Sequence, residues 1–214
     1  MGDSVGRLVA FGCSLTYGDC LPDCYNPDEN DPLGYVASPA PSTGAWPRVA
    51  ADLLGMGCLN LSRSGSSNTR ILLSVLGHDW RDGDVAAVLW SYPDRDVLFT
   101  EKGPKHLGGW NADSPGVARS YYTAHSSEDL QMRTWIHHHH AALYLESLGV
   151  PFVMGSVTGW VRLWWAGRDY RSIDSGVFAQ PFIDLGLDGW HPGAEQHREW
   201  ASVFARQISN ARRA

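Results

Sequence analysis

Apolar residues in this chain fall into short unbroken runs, separated by longer stretches whose apolar positions recur every three or four residues. Arg7–Gly12 (RLVAFG) is a short apolar run ending in glycine and predicts a first strand. Ala45–Leu54 has helical spacing, with Pro47 tolerated in the first turn and Gly55 and Gly57 closing it. Cys58–Leu61 predicts a second strand, and Asn68–Leu76 the start of a second helix. Val85–Trp90 (VAAVLW) has no polar position at all, the pattern of a strand buried on both faces. Ser127–Leu148 predicts a long helix stopped by Gly149, and Pro151–Val157 a fourth buried strand. Pro192–Arg212 predicts a terminal helix, with Pro192 pre-set for its first turn. Strands alternating with helices imply an α/β fold in which a parallel sheet is covered on both faces.

Three segments break the pattern. Tyr17–Thr43 is polar and rich in Pro, Asp and Asn, long enough to suggest a lid or a rim to a site. Residues 93 to about 125 carry many Gly, Pro and polar residues without a period and are expected to form an irregular insertion. Thr158–Leu187 is mixed and rich in tryptophan. There is no internal repeat and no low-complexity segment, so residues 1–214 are expected to form a single domain.

The length of 214 residues is enough for one α/β domain with a full core, and 43% hydrophobic with 19% charged residues is an ordinary globular balance. A net charge of −6 argues against a nucleic-acid or anionic-membrane surface, because phosphate binding needs a basic face. A neutral or weakly charged small molecule fits better. No apolar run is long enough to span a membrane, and Met1–Arg7 has no export-signal pattern, so a cytoplasmic location is expected. The four cysteines, Cys13, Cys20, Cys24 and Cys58, lack zinc-type spacing and are expected to be free thiols. Ten tryptophans are many for this length; they suit buried packing, or aromatic walls around a sugar or acyl ligand.

Two segments carry candidate chemistry. Phe11-Gly12-Cys13-Ser14-Leu15-Thr16 places a serine just after the first strand, at the carboxyl edge where parallel sheets bind ligands. Alone it also suits a helix cap. The elbow G-x-S-x-G is not matched, since position 16 is Thr. Far along the chain, Asp188-Gly189-Trp190-His191-Pro192 sets an aspartate and a histidine three residues apart on a loop feeding a helix. A neutral imidazole there can take a serine proton and return it to a leaving group, with the carboxylate fixing its tautomer.

Together these blocks resemble the SGNH/GDSL hydrolases. Gly12–Thr16 resembles the family's G-D-S-L-T block with Cys13 in place of Asp. Asn60–Gly65 is similar to its second block, and Asp188-x-x-His191-Pro192 to its last, D-x-x-H-P. Phe11–Gly18, Gly65–Asn68 and His191–Ala201 also resemble phage-associated SGNH-like proteins. The resemblance implies a flavodoxin-like three-layer α/β/α sandwich with a central parallel sheet. It implies Ser14, Asp188 and His191 as a catalytic triad, and the backbone N–H groups of Ser14 and Gly65 as an oxyanion hole. The family's third block, G-x-N-D, is absent: the matching strand end reads Trp90-Ser91-Tyr92-Pro93-Asp94-Arg95. Asn68, Arg95 and, further along, Asn111 are the candidates for the missing oxyanion donor.

The remaining features are weighed as structural. His137–His140 spreads over every face of a helix and has no partnering carboxylate or Cys in view, so no metal and no cofactor are expected. His197 is expected to be structural, and Trp160, Trp164 and Trp165 to pack in a core or form a sugar platform. The expected activity is that of an esterase or deacetylase cleaving a small acyl ester, with a carbohydrate ester as the substrate suggested by the tryptophans and long loops. The alternative is a non-catalytic glycan-binding or structural accessory protein on the same scaffold.

Overall fold

The computed structural model describes residues 6–31, 34–158, 175–178 and 181–212. In chain order the strands and helices are β1 (Arg7–Phe11), α1 (Ser14–Tyr17), β2 (Tyr25–Pro27), β3 (Tyr35–Ala37), α2 (Trp46–Leu54), β4 (Gly57–Asn60), α3 (Asn68–Leu76), β5 (Val85–Trp90), β6 (Asp96–Thr100), β7 (Gly103–Leu107), α4 (Val117–Ala124), α5 (Ser127–Ser147), β8 (Phe152–Ser156) and α6 (Ala194–Ala211). Short 3₁₀ turns cover Gly109–Asn111 and Ser175–Phe178.

The central sheet is parallel, in the order β4-β1-β5-β8. Successive side chains of a strand point to opposite faces, and β1 shows it. Leu8 and Ala10 join Trp46 of α2 and Trp200 and Phe204 of α6 in one core. Val9 and Phe11 join Ile71 of α3 and Leu145 of α5 in the other. β5 contributes to both and is buried at every position, as its unbroken apolar run requires. The result is a three-layer α/β sandwich. The chain runs from β1 out to β4, then crosses back to β5 on the other side of β1. That reversal makes the carboxyl ends of β1 and β5 the topological switch point, the place where such sheets bind ligands.

The tryptophans divide accordingly. Trp46, Trp90 and Trp200 are fully buried, and Trp46 stacks on Phe204 at 3.8 Å between ring centroids. Trp110 and Trp190 are exposed. Trp160, Trp164 and Trp165 lie outside the described residues.

Two sequence expectations need correction. The segment 93–125 is not irregular: β6 and β7 form an antiparallel hairpin and α4 follows. Leu107, Ala118 and Tyr121 of this segment form a small core with Leu130 of α5. Asp96 ties it down, accepting from Thr69 Oγ1 of α3 and Tyr121 Oη of α4, both at 2.7 Å. Short strands with one exposed face leave a weak period, which is why the pattern was invisible. The terminal helix begins at Ala194, and Pro192 lies before it, bridged to Leu185. Its amino end is capped from a distance: Asp184 accepts from the N–H groups of Glu195 (3.0 Å) and Gln196 (2.8 Å). The polar stretch after α1 contains the β2–β3 hairpin. All four cysteines are free thiols.

Candidate active site

Ser14 begins α1 directly beyond β1, and its side chain is 4% exposed. The chain can turn this tightly because position 12 is glycine: a Cβ there would lie 2.0 Å from Thr16 Oγ1. The loop after β4 packs onto this turn. Arg63 N donates to Gly12 O (3.2 Å), and Asn60 Nδ2 donates to Thr16 O (2.9 Å). These two bonds bring the Ser62–Gly65 loop beside Ser14. Gly65 has φ of 67°, a left-handed conformation suited to glycine. Among the described residues, no hydrogen bond occupies the N–H of Ser14 or that of Gly65. The two donors are in the condition an oxyanion hole needs.

Asp188 and His191 form a bonded pair. His191 Nδ1 lies 2.6 Å from Asp188 Oδ2, while Asp188 Oδ1 accepts from the N–H groups of Trp190 and His191, both at 3.0 Å. Burial pushes the Asp188 carboxyl up, but the hydrogen bonds from the His191 ring and the two N–H groups outweigh it and hold the group below its ordinary range. With Nδ1 committed to the carboxylate, Nε2 is the nitrogen left to take a proton.

The loop carrying this pair is docked on the residues that follow α1. Leu187 N donates to Cys20 O (2.9 Å), and a Cβ on Gly186 would meet that same oxygen at 3.0 Å. Cys20 itself has φ of 65°, the only positive φ outside glycine among the described residues. Strain of this kind persists where surrounding contacts over-determine it, often at functional sites. Tyr35 of β3 meets the His191 ring edge-on at 6.0 Å between centroids. The structure therefore brings Asp188 and His191 together and seats them beside the α1 segment. Among the described residues, His191 makes no hydrogen bond to Ser14.

Sequence reasoning missed four neighbours: Asp19, Cys20, Tyr35 and Ser64. All but Ser64 sit in the polar loop, and only an acid placed five residues after the serine offered a signal. Cys20, Asp188 and His191 bring a thiol, a carboxylate and an imidazole within 4.8 Å of one another.

The candidates for a third oxyanion donor separate. Asn68 is corrected to a structural role. Its Nδ2 donates to both Ser91 O (3.1 Å) and Thr134 Oγ1 (3.0 Å), and its Oδ1 accepts from Ser91 N (2.7 Å). An amide nitrogen has two hydrogens, and both are used. Asn111 Nδ2 donates to His106 O and helps close the turn after β7. Arg95 lies over the Tyr92 and Trp110 rings, with Nη1 donating to Ser91 Oγ at 3.3 Å, so it keeps donors in reserve. The histidine run is dispersed: His138 is buried beside Trp90, His139 stacks on Trp135, and His137 lies 3.5 Å from Thr69 Oγ1. His197 is buried, its Nδ1 accepting from Trp46 N at 3.1 Å.

The fold and this arrangement define a doubly wound α/β sandwich with a serine at the switch point of its sheet and an Asp–His pair on a loop docked nearby. No protein-family model matches the chain, and no curated protein matches it. Solved structures match it in fold. A protein assigned to the G-D-S-L lipolytic family from Desulfitobacterium hafniense aligns with a TM-score of 0.55 and 9% identity, over 94% of this chain and 98% of its own. An acetyl xylan esterase from the rumen bacterium Butyrivibrio proteoclasticus aligns at 0.53 and 13% identity, over 96% of this chain and 63% of its own. A carbohydrate esterase whose active site displays divergent catalytic and non-catalytic binding functions aligns at 0.57 and 14% identity, covering 95% and 68%. The chain thus has the fold of these GDSL-type and carbohydrate esterases and spans about two thirds of the latter two. At these identities the likeness is one of fold.

Proposed function

We propose that the protein is a serine ester hydrolase, an esterase or deacetylase that removes a small acyl group from a carbohydrate. Ser14 is its nucleophile, His191 its acid–base, and Asp188 the carboxylate that orients the imidazole. The observation that carries this is the 2.6 Å Asp188–His191 bond on a loop docked at Cys20, next to the turn that presents Ser14. The esterases sharing the fold support the reaction class, and those acting on carbohydrates support the substrate class.

The chemistry follows from the arrangement. Ser14 Oγ attacks the acyl carbonyl while His191 Nε2 takes its proton, and Asp188 steadies the resulting imidazolium. Negative charge gathers on the carbonyl oxygen, which faces the N–H groups of Ser14 and Gly65. One such donor is worth about a hundred- to a thousandfold in rate. The imidazolium then protonates the departing sugar hydroxyl. Water, deprotonated by His191, cleaves the acyl-enzyme. Arg95 is the remaining candidate for a third donor.

The alternative, a glycan-binding role without catalysis, draws on two observations: Ser14 and His191 are not hydrogen-bonded, and Asn68 is fully engaged. A fluorophosphonate probe separates the two. Labelling of Ser14, and loss of p-nitrophenyl acetate turnover in a folded Ser14→Ala variant, is the result expected of the hydrolase. An unlabelled serine with measurable glycan binding favours the alternative.

A further inference from the structure

The carboxyl group of Asp19 is a buried acid that the reaction above does not use. It is 1% exposed and follows α1, its N–H donating to Ser14 O at 3.2 Å. Oδ2 accepts from Ser64 Oγ and from Tyr35 Oη (3.4 Å), whereas Oδ1 is buried and has no hydrogen-bond partner among the described residues. Placing a carboxylate out of water is costly unless its charge is compensated, and two neutral hydroxyls on one oxygen compensate it only in part. Tyr35, which bonds Asp19, also packs edge-on against the His191 ring.

We propose that Asp19 is a positioning residue for His191: a second carboxylate, held by Tyr35 and Ser64 beside the Asp188–His191 pair, that favours the charged imidazole formed during catalysis. The proposal rests on the acid–base role given to His191 above.

The charges around the imidazole make the coupling specific. Asp188 is bonded to Nδ1, Cys20 of the loop after α1 lies within 4.8 Å of both, and Tyr35 of β3 packs on the ring while bonding Asp19. His197 of α6 interacts electrostatically with the imidazole, Cys24 and Tyr17 interact with Asp19, and Arg63 acts on Tyr17. Burial pushes the Cys20 and Cys24 thiols and the Tyr17 and Tyr35 phenols upward, so all four stay neutral over the working range. Burial pushes His197 down to about 3, so it too is neutral. Burial raises the Asp19 carboxyl above its ordinary range, against the opposing pull of Ser64, His191 and Tyr35. Once ionised, Asp19 attracts a proton to the imidazole. Ser64 adjoins Gly65, so the same bond also ties the Ser62–Gly65 loop to the segment that follows the helix carrying Ser14.

The test is Asp19→Asn, which keeps the shape and removes the charge. The His191 imidazole carbon resonance, followed by NMR against pH, is expected to titrate at lower pH than in the wild type. The acidic limb of kcat/KM is expected to move the same way by about one pH unit. A fall of about tenfold in kcat, with KM within twofold, completes the expected pattern. Tyr35→Phe removes one donor from Asp19 and is expected to give a smaller shift in the same direction, which keeps the test usable if Asp19→Asn does not fold. An unmoved His191 titration in the folded variants overturns the proposal. The hydrolase assignment fails by a different observation, a wild-type Ser14 that takes no fluorophosphonate, and the His191 titration can be read whether or not turnover is found.

Discussion

Trp190 is 79% exposed although it adjoins His191, and its backbone N–H donates to Asp188 Oδ1 at 3.0 Å. A large exposed aromatic at the edge of a polar site is suited to stacking on the apolar face of a sugar ring. Ile183, Leu185 and Leu187, also exposed, extend that edge along the same loop. Trp190→Ala is therefore expected to raise KM for an acetylated oligosaccharide by about three- to tenfold. KM for p-nitrophenyl acetate, which lacks the ring, is expected to hold. Steady-state kinetics on both substrates check this, and an equal change for the two esters removes Trp190 from sugar recognition. At this scale the sequence was informative about residue types. Ser14, Asp188 and His191 stand in short blocks whose order resembles a hydrolase family, so they could be singled out one by one. Asp19 and Tyr35 could not, because a hydrophilic loop full of acids gives no sign of which side chain turns inward.

At the scale of elements, Asn68 clamps the first turn of α3 to the end of β5 and to Thr134 of α5. Removing its amide leaves Ser91 N–H and C=O buried without partners. Asn68→Ala is expected to cost about 1–3 kcal/mol of stability, measured by urea denaturation. Wild-type stability in that variant would show that water replaces the clamp. This role was hidden in the sequence, where an Asn beside a Gly-containing loop looked like an oxyanion donor. The strands and main helices were legible because burial on both faces forces continuous apolar runs, and a one-sided helix forces a three-to-four period. The β6–β7 hairpin and α4 were not, since one of their faces meets solvent and their core is only a few residues. The distant cap by Asp184 was equally out of reach, because its partners lie eleven and twelve residues along the chain.

For the whole molecule, two buried histidines set the response to acid. Burial pushes His197 down to about 3 and His138 to about 4, each from an ordinary value of 6.5. Both remain neutral in the fold while the unfolded chain takes up protons. Their contribution is full above pH 6.5 and is lost as pH falls toward the folded values. Each changes the stability by about 1.4 kcal/mol per pH unit inside that window. Denaturation at pH 7 and pH 5 is expected to show this loss. His197→Gln, whose side-chain oxygen can still accept from Trp46 N–H, is expected to flatten the dependence by about one proton. An unchanged slope would mean that His197 is protonated in the folded state.

The sequence by itself determined the layers: which runs are strands, which faces of the helices are apolar, and that strands and helices alternate around a parallel sheet. These follow from local periodicity, because burial selects residue types position by position. Only the tertiary structure decided which groups meet. The pairing of Asp188 with His191 is local and could be anticipated from a spacing of three. The docking of that pair against Cys20 and Tyr35, the inward turn of Asp19 and the engagement of Asn68 join residues far apart in the chain. Such meetings depend on strand order and loop packing, which no local pattern of hydrophobicity encodes.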